Sequence, residues 1–493
     1  MKRFFAIFIS IILCVCCFGV YGCGNDVGQV IEGADASALK YTEFQKGTPV
    51  KFGKYVFRGL DGDTMPIAGY IGPRESYPAN GYFLPSLITD EVFQKLQDCG
   101  INQIVENGMD SSTMNKDTLN SLLTLAQNHS ISYYLGATDA IKYNTDTKSD
   151  WKCGSVGDIK SALAELCKYE SFAGLYLRDE PYQAMFAGIA ETVEKYNQAK
   201  TEMNEENLTL YHNLFPPLDG KRLSGDENNT MLNWVEYINA FAETGVDYLC
   251  FDSYPIQGMD NDVSAIWFNC LGAMSERAKA YNVPFMACVQ AGGGETAMAS
   301  ALSRIVNEYE LAWNVNTILA FGAKGITYYP CVYPPYFANT DSEEHANDSS
   351  LINKYGNKTP TYNYAQKVNK QLQAIDHVLM NAAHEGVIIH GESPCVYTGA
   401  YTGNTSLLLS DGSYRGLLSV EGDPALIGCF DYKGGMALLV VNNSLTEHRG
   451  EIKLNFKENY GYRVTQRAKQ AVLAANSFTL TLEAGECALV EVL

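Results

Sequence analysis

Basic side chains are scarce in this 493-residue chain: 36 Lys and Arg stand against 56 Asp and Glu, for a formal net charge of -20. So acidic a surface repels phosphate backbones and anionic lipid headgroups, which argues against nucleic acid as a partner. Cys-x-x-Cys pairs are missing. Ten of the 14 Cys lie beyond residue 23 and are widely scattered, so a zinc site has no ligand spacing to build on. Cys250, Cys288 and Cys331 fall inside apolar runs, where Cys behaves as a small buried hydrophobe. Also missing are internal repeats, low-complexity tracts, a transmembrane run beyond the N-terminus, and a Gly-rich phosphate loop after an early strand. Gly292-Gly293-Gly294 lacks the following Lys-Ser/Thr of a nucleotide loop.

What is present begins with a leader. Lys2-Arg3 is a positive start, and Phe4 to Phe18 is an apolar run short for a membrane span. It ends in Val20-Tyr21-Gly22-Cys23, which resembles the bacterial lipobox and makes Cys23 the expected lipidation site. An uncleaved anchor and simple secretion are the alternatives. Residues 1–23 are therefore expected to be a lipoprotein signal peptide, and 24–47 a polar, Gly/Ala-rich tether. The folded part would then be exported, facing outward from a bacterial envelope and touching membrane only through the anchor.

The length calls for two folded units, and 46% hydrophobic residues suffice for their cores. Short apolar runs recur at Met65–Gly72, Ile101–Glu106, Ile131–Gly136, Ala173–Arg178, Leu208–Asn213, Asp247–Asp252, Pro284–Gln290 and Gly325–Pro330. Helix-like segments lie between them: Thr89–Cys99, Thr118–His129, Val156–Lys168, Ala187–Lys200, Met231–Thr244, Ala265–Tyr281 and Ala301–Phe321, with Asn363–Ala382 last. Eight such alternations predict an α/β fold, a closed (β/α)8 TIM barrel over 48–385. From about 386 the pattern changes to short alternating segments with turns at Tyr432-Lys433-Gly434-Gly435 and Glu483-Ala484-Gly485. That predicts a small antiparallel β-sandwich over 386–493.

The fourth run, Phe172-Ala-Gly-Leu-Tyr-Leu-Arg-Asp-Glu-Pro181, ends on two adjacent carboxylates followed by a proline that cannot donate a ladder hydrogen bond. The carboxyl ends of barrel strands are where chemistry sits in this architecture. With Phe251-Asp-Ser-Tyr-Pro255 at the sixth run and Phe321-Gly-Ala-Lys-Gly-Ile326 leading into the eighth, the chain resembles the clan A TIM-barrel glycoside hydrolases. The β-galactosidase-like members with a C-terminal β-domain are the nearest likeness, over roughly residues 62–385 and in domain order. The resemblance implies a carbohydrate substrate, no metal or organic cofactor, and Glu180 as general acid. Asp179 takes the place of an Asn that contacts sugar in that clan, and Tyr254 that of a Tyr near the nucleophile.

The residues themselves agree. Glycoside hydrolysis needs one acid to protonate the leaving oxygen and a second carboxylate to attack or to activate water. Like-charge proximity of Asp179 and Glu180 at a semi-buried mouth favours keeping one of them protonated. The second carboxylate departs from the clan, whose nucleophile Glu sits where this chain has Gln290. Three readings remain open: Asp252 serves instead, Glu295 swings in, or the site binds sugar without cleaving it. Asp252 is preferred because the Asp-Ser-Tyr-Pro turn fixes it. Glu106, Asn107, His212, Tyr254, Gln290 and Tyr329, all at strand ends, complete the expected sugar-binding shell, and the 32 Tyr suit stacking on pyranose faces.

Overall fold

The computed structural model describes residues 60, 62–79, 82–110, 114–136, 140–143, 151–257, 263–292, 305–334 and 349–493. Cys23, the tether and Glu295 lie outside these residues. Eight parallel strands appear in the order read above: β1 (Ile67–Tyr70), β2 (Gln103–Asp110), β3 (Ser132–Gly136), β4 (Phe172–Asp179), β5 (Thr209–Asn213), β6 (Leu249–Phe251), β7 (Phe285–Gln290) and β8 (Ile326–Tyr329). Each pairs with its neighbours, and β8 pairs with β1. Closure between β5 and β6 is made just past the strand, where the Leu214 amide donates to the Cys250 carbonyl at 2.8 Å. The sheet is a TIM barrel.

Helices follow the strands in turn: α1 (Asp90–Asp98), α2 (Lys116–Asn128), α3 (Val156–Leu166), α4 (Phe186–Met203), α5 (Trp234–Ala242), α6 (Trp267–Tyr281), α7 (Glu308–Ala320) and α8 (Pro360–Asn381). Their starts are written in the sequence. Ser155 with Asp158, Asn233 with Glu236 and Asn307 with Glu310 form capping boxes, and Thr359 caps α8 ahead of Pro360. The last carbonyls of α8 are met by a buried amine: Lys324 Nζ donates to the Leu379 and Ala382 carbonyls.

Tyrosines fill the barrel. Tyr70, Tyr134, Tyr176, Tyr211, Tyr248 and Tyr329 share the interior with Cys250, Met286 and Cys288. These cysteines are free and buried, as small hydrophobes should be.

The C-terminal part is a seven-stranded antiparallel sheet: β9 (Ala383–His390), β10 (Leu417–Gly422), β11 (Ala425–Tyr432), β12 (Gly435–Asn442), β13 (Gly450–Gln466), β14 (Lys469–Leu482) and β15 (Cys487–Val492). β13 pairs with β10 through its first half and with β15 through its second, after an irregularity between Asn455 and Tyr460. That bend lets the two layers enclose one apolar core, as in a sandwich. The outer face of the sheet packs on α7. A Cβ on Gly428 would stand 2.5 Å from the Ala320 carbonyl, and Trp313 Nε1 donates to Asn443 Oδ1 at 2.8 Å.

The sequence reading lacked β10, the small hairpins Tyr77–Ala79 with Tyr82–Leu84 and Ile141–Tyr143 with Trp151–Cys153, and the short helix Gly220–Ser224. It expected only short segments beyond residue 386, whereas β13 and β14 form one long hairpin. The turn there is Arg467-Ala468, both with positive φ (51° and 55°), positions where Gly or Asn would have announced a turn.

Candidate active site

The carboxylates hang from the last backbone hydrogen bonds of the barrel. β4 carries one residue too many: Tyr176 faces Tyr211, but Arg178 faces His212 and Asp179 faces Asn213, leaving Leu177 unmatched. This bulge turns Asp179 back toward the interior. The next residue, Glu180, has φ of 45°, a left-handed conformation uncommon outside Gly and Asn. It is held there by its amide, which donates to the Asn213 carbonyl at 2.7 Å, while Tyr237 on α5 donates its hydroxyl to the Pro181 carbonyl at 2.7 Å. Across the closing seam, the Asp252 amide donates to the Leu214 carbonyl at 3.3 Å. Asp179, Glu180 and Asp252 are thus brought together at the carboxyl ends of β4 and β6.

Asn213 ties them. Its side chain is buried and its Nδ2 donates to Asp179 Oδ1 at 3.1 Å, while its Oδ1 accepts from the Cys288 thiol at 3.6 Å. Beneath, the Tyr70 and Tyr176 hydroxyls lie 2.6 Å apart and both support Asp179. Beside the group, the Tyr254 ring stacks on Tyr329 at 5.7 Å, and Tyr329 meets Tyr70 edge-on at 5.5 Å.

All three carboxyls are harder to ionise than usual. Burial raises Asp179 against the hydrogen bonds from Asn213 and the tyrosines. Burial and then the Asp179 charge push Glu180 up to about 7, although Arg178 and Arg222 favour its anion. Burial, then the charges of Glu180 and Asp179, hold Asp252 well above the carboxylate range, and its Oδ1 is enclosed without a hydrogen-bond partner among the described residues. Three crowded acids with little countercharge keep a proton among them near neutral pH.

One consequence is directional. Asp179→Asn keeps an oxygen for its three donors but deletes the charge beside Glu180, so the ionisation near pH 7 should move to lower pH. Carboxyl titration by infrared difference spectroscopy would read it. An unmoved ionisation would mean that the Asp179 charge is not felt at Glu180.

The other expected shell residues divide. Tyr254 and Tyr329 reach the mouth. Gln290 is fully buried and accepts from the Ile256 amide at 3.3 Å, so it holds the loop after β6. Glu106 is fully buried and takes the Gly72 amide at 3.0 Å and the Arg74 guanidinium, an ion pair within the barrel wall. His212 points outward between Phe241 and Tyr248, with ring centroids at 4.7 and 4.9 Å, and burial drives its pKa down to about 3. Each of these three is engaged by a partner other than the carboxylates. Asn107 follows Glu106 on β2, and its side chain lies outside the described part. Tyr70, Tyr176 and Arg222 are neighbours of the carboxylates that the motif reading passed over. Strand alternation held one signal: Tyr211 inside implies Asn213, not His212, at the mouth.

No family model and no curated protein matches the sequence. Solved structures do match. The α-amylase of Geobacillus thermoleovorans, complexed with acarbose, is 12% identical with a TM-score of 0.50, covering 88% of this chain and 98% of that one. The GH39 enzyme of Xanthomonas axonopodis pv. citri is 10% identical (TM-score 0.42; 91% and 95% covered). A monomeric β-xylosidase of Caulobacter crescentus is 11% identical (TM-score 0.41; 87% and 96% covered). At such identities the likeness is one of architecture: this chain has a fold shared by glycoside hydrolases, a TIM barrel followed by an antiparallel β-domain.

Proposed function

We propose that the chain is an exported glycoside hydrolase that cleaves O-glycosidic bonds of oligo- or polysaccharides. The observation that carries this reading is the buried cluster of Glu180 and Asp252 at the mouth, with Asp179 behind it, in which burial and mutual charge raise all three carboxyls. Glycosidic cleavage asks for one protonated and one ionised carboxyl on either side of the bond. Burial moves that singly protonated form from about pH 4 to the neighbourhood of neutrality. In this scheme Glu180 gives its proton to the leaving oxygen and Asp252 attacks or activates water. Asn213 positions both, while Tyr254 and Tyr329 offer ring faces to the sugar. The barrel over 48–385 would be catalytic and 386–493 its β-domain. Anchoring through Cys23 belongs to the same proposal; incorporation of a fatty-acid probe that vanishes in Cys23→Ala would support it, and unchanged incorporation would remove it.

A second reading has one observation of its own. Gln290, at the end of β7, is committed to the Ile256 amide and cannot serve as nucleophile, which would suit a barrel that binds glycan without cutting it. Hydrolysis of aryl glycosides and oligosaccharides by wild type and Glu180→Gln separates the two. Activity that collapses in the variant while sugar still binds supports the hydrolase. Saturable binding by both proteins with turnover by neither leaves the receptor.

A further inference from the structure

We propose that a cavity on the flank of the barrel, lined by none of Asp179, Glu180 and Asp252, is a second saccharide site that takes a neutral sugar unit. It lies between α7, α8 and the turns that end β13 and β14, and has a volume of about 270 Å³. That is near the lower end of small-molecule pockets, roughly 300–1,000 Å³, so it suits one or two sugar units rather than a long chain. Its apolar surface comes from Ala312, Val368, Ala484 and Cys487, with the half-buried Tyr309 and Tyr364 on the two helices. A pyranose face packs on such rings, while its hydroxyls need polar partners at the edge.

Those partners are present and balanced in charge. Glu308, Glu483 and Glu486 stand with Lys367, Lys370 and Arg467 around the cavity. Glu308 pairs with Lys367, and Arg467 reaches Glu486 at 2.6 Å and Glu483 at 3.4 Å. Three anions against three cations leave no net charge for an ionic ligand to neutralise, and burying an unmatched charge is costly. A polyol can instead donate to the carboxylates and accept from the guanidinium. Asn316 also lines the cavity; its Nδ2 is spent on the Gly485 carbonyl at 2.8 Å, but its buried Oδ1 has no donor among the described residues. An unmet buried acceptor costs about 1–3 kcal/mol, which a ligand hydroxyl would recover. Arg467 is presented in a left-handed turn without Gly, strain of the kind found at ligand clamps.

The cavity also has a useful position. Barrel helices run opposite to their strands, and Glu308, Tyr309 and Ala312 belong to the first turns of α7, as Tyr364 to Gln371 do to the first half of α8. The cavity therefore lies toward the end of the barrel that bears Glu180.

The test uses the full chain carrying Glu180→Gln, so that turnover cannot consume the probe, whatever becomes of the hydrolase reading. Maltose, cellobiose, xylobiose and lactose are titrated calorimetrically, with inorganic phosphate and spermidine as charged probes. At least one disaccharide should bind saturably, and Ala312→Phe, which fills the cavity, should weaken it about tenfold or more. Arg467→Ala should do the same, and it decides the matter should Ala312→Phe fail to fold. Absence of saturable disaccharide binding, binding that neither variant weakens, or saturation by phosphate or spermidine alone would overturn the proposal.

Discussion

Glu180→Gln should lose about 10²–10⁴-fold in turnover of unactivated glycosides and yet give a more stable protein above neutral pH. The first half is the ordinary contribution of a positioned acid. An aryl glycoside whose phenol leaves without protonation should be spared much of the loss, while Asp252→Asn should lose both substrates alike. The second half follows from linkage. Glu180 is raised from 4.5 to about 7 on folding. A carboxyl with a raised folded-state pKa binds its proton more tightly when folded, so it costs nothing below about pH 4.5. The cost grows as pH climbs to about 7 and is constant beyond. At about 1.4 kcal/mol per pKa unit it reaches at most about 3 kcal/mol, less what solvent screening at a half-buried group removes. Gln carries no proton to lose. Urea unfolding of wild type and variant should therefore coincide near pH 4.5 and diverge in favour of the variant by about 1–3 kcal/mol at pH 8. A stability difference that does not change with pH would mean that Glu180 is not held protonated by the fold. Asp252 and Asp179, raised for the same reason, act in the same direction. An acid cluster that destabilises its own fold makes sense where chemistry needs the proton.

The parts of this site that could be read from the chain are those fixed by local rules. Each barrel strand is a short apolar run, and Pro181 and Pro255 mark where β4 and β6 stop, which exposes Asp179, Glu180 and Asp252 as strand-end acids. What could not be read depends on register. The unmatched Leu177 decides that Asp179 faces in, and no residue type announces a bulge of this kind. His212 and Asn213 are adjacent and both polar; alternation tells them apart only once Tyr211 is known to face the barrel interior. Gln290 and Glu106 look available from their strand ends, but a loop amide and Arg74, distant in sequence, already occupy them. In the C-terminal sheet the hairpin signal failed because Arg467 and Ala468 adopt the turn without Gly.

Gly174→Ala is expected to damage fold and site together, because the strand that bears Glu180 has no room for a methyl group at its start. Gly174 has φ of 146°, outside what an L side chain readily adopts, and its Cβ would lie 1.9 Å from the Thr209 carbonyl oxygen. That contact is between backbones of paired strands, so no rotamer can relieve it; β4 must move away from β5. Overpacking costs about 1–3 kcal/mol, and a forced left-handed residue about 1–2 kcal/mol more. A loss of roughly 2–5 kcal/mol would be visible as a large fall in the urea midpoint. Activity should fall further than the folded fraction does, since Gly174 faces Thr209 in the same ladder in which Asp179 faces Asn213. An unchanged midpoint together with wild-type turnover would show that β4 and β5 are not packed this closely. The same strand then carries a glycine that no other residue can replace, a bulge at Leu177 and a left-handed Glu180, within seven residues of one another. Irregular backbone concentrated this way is expected where a fold gives up local stability to aim side chains, and here the side chains it aims are the acids to which the chemistry is assigned.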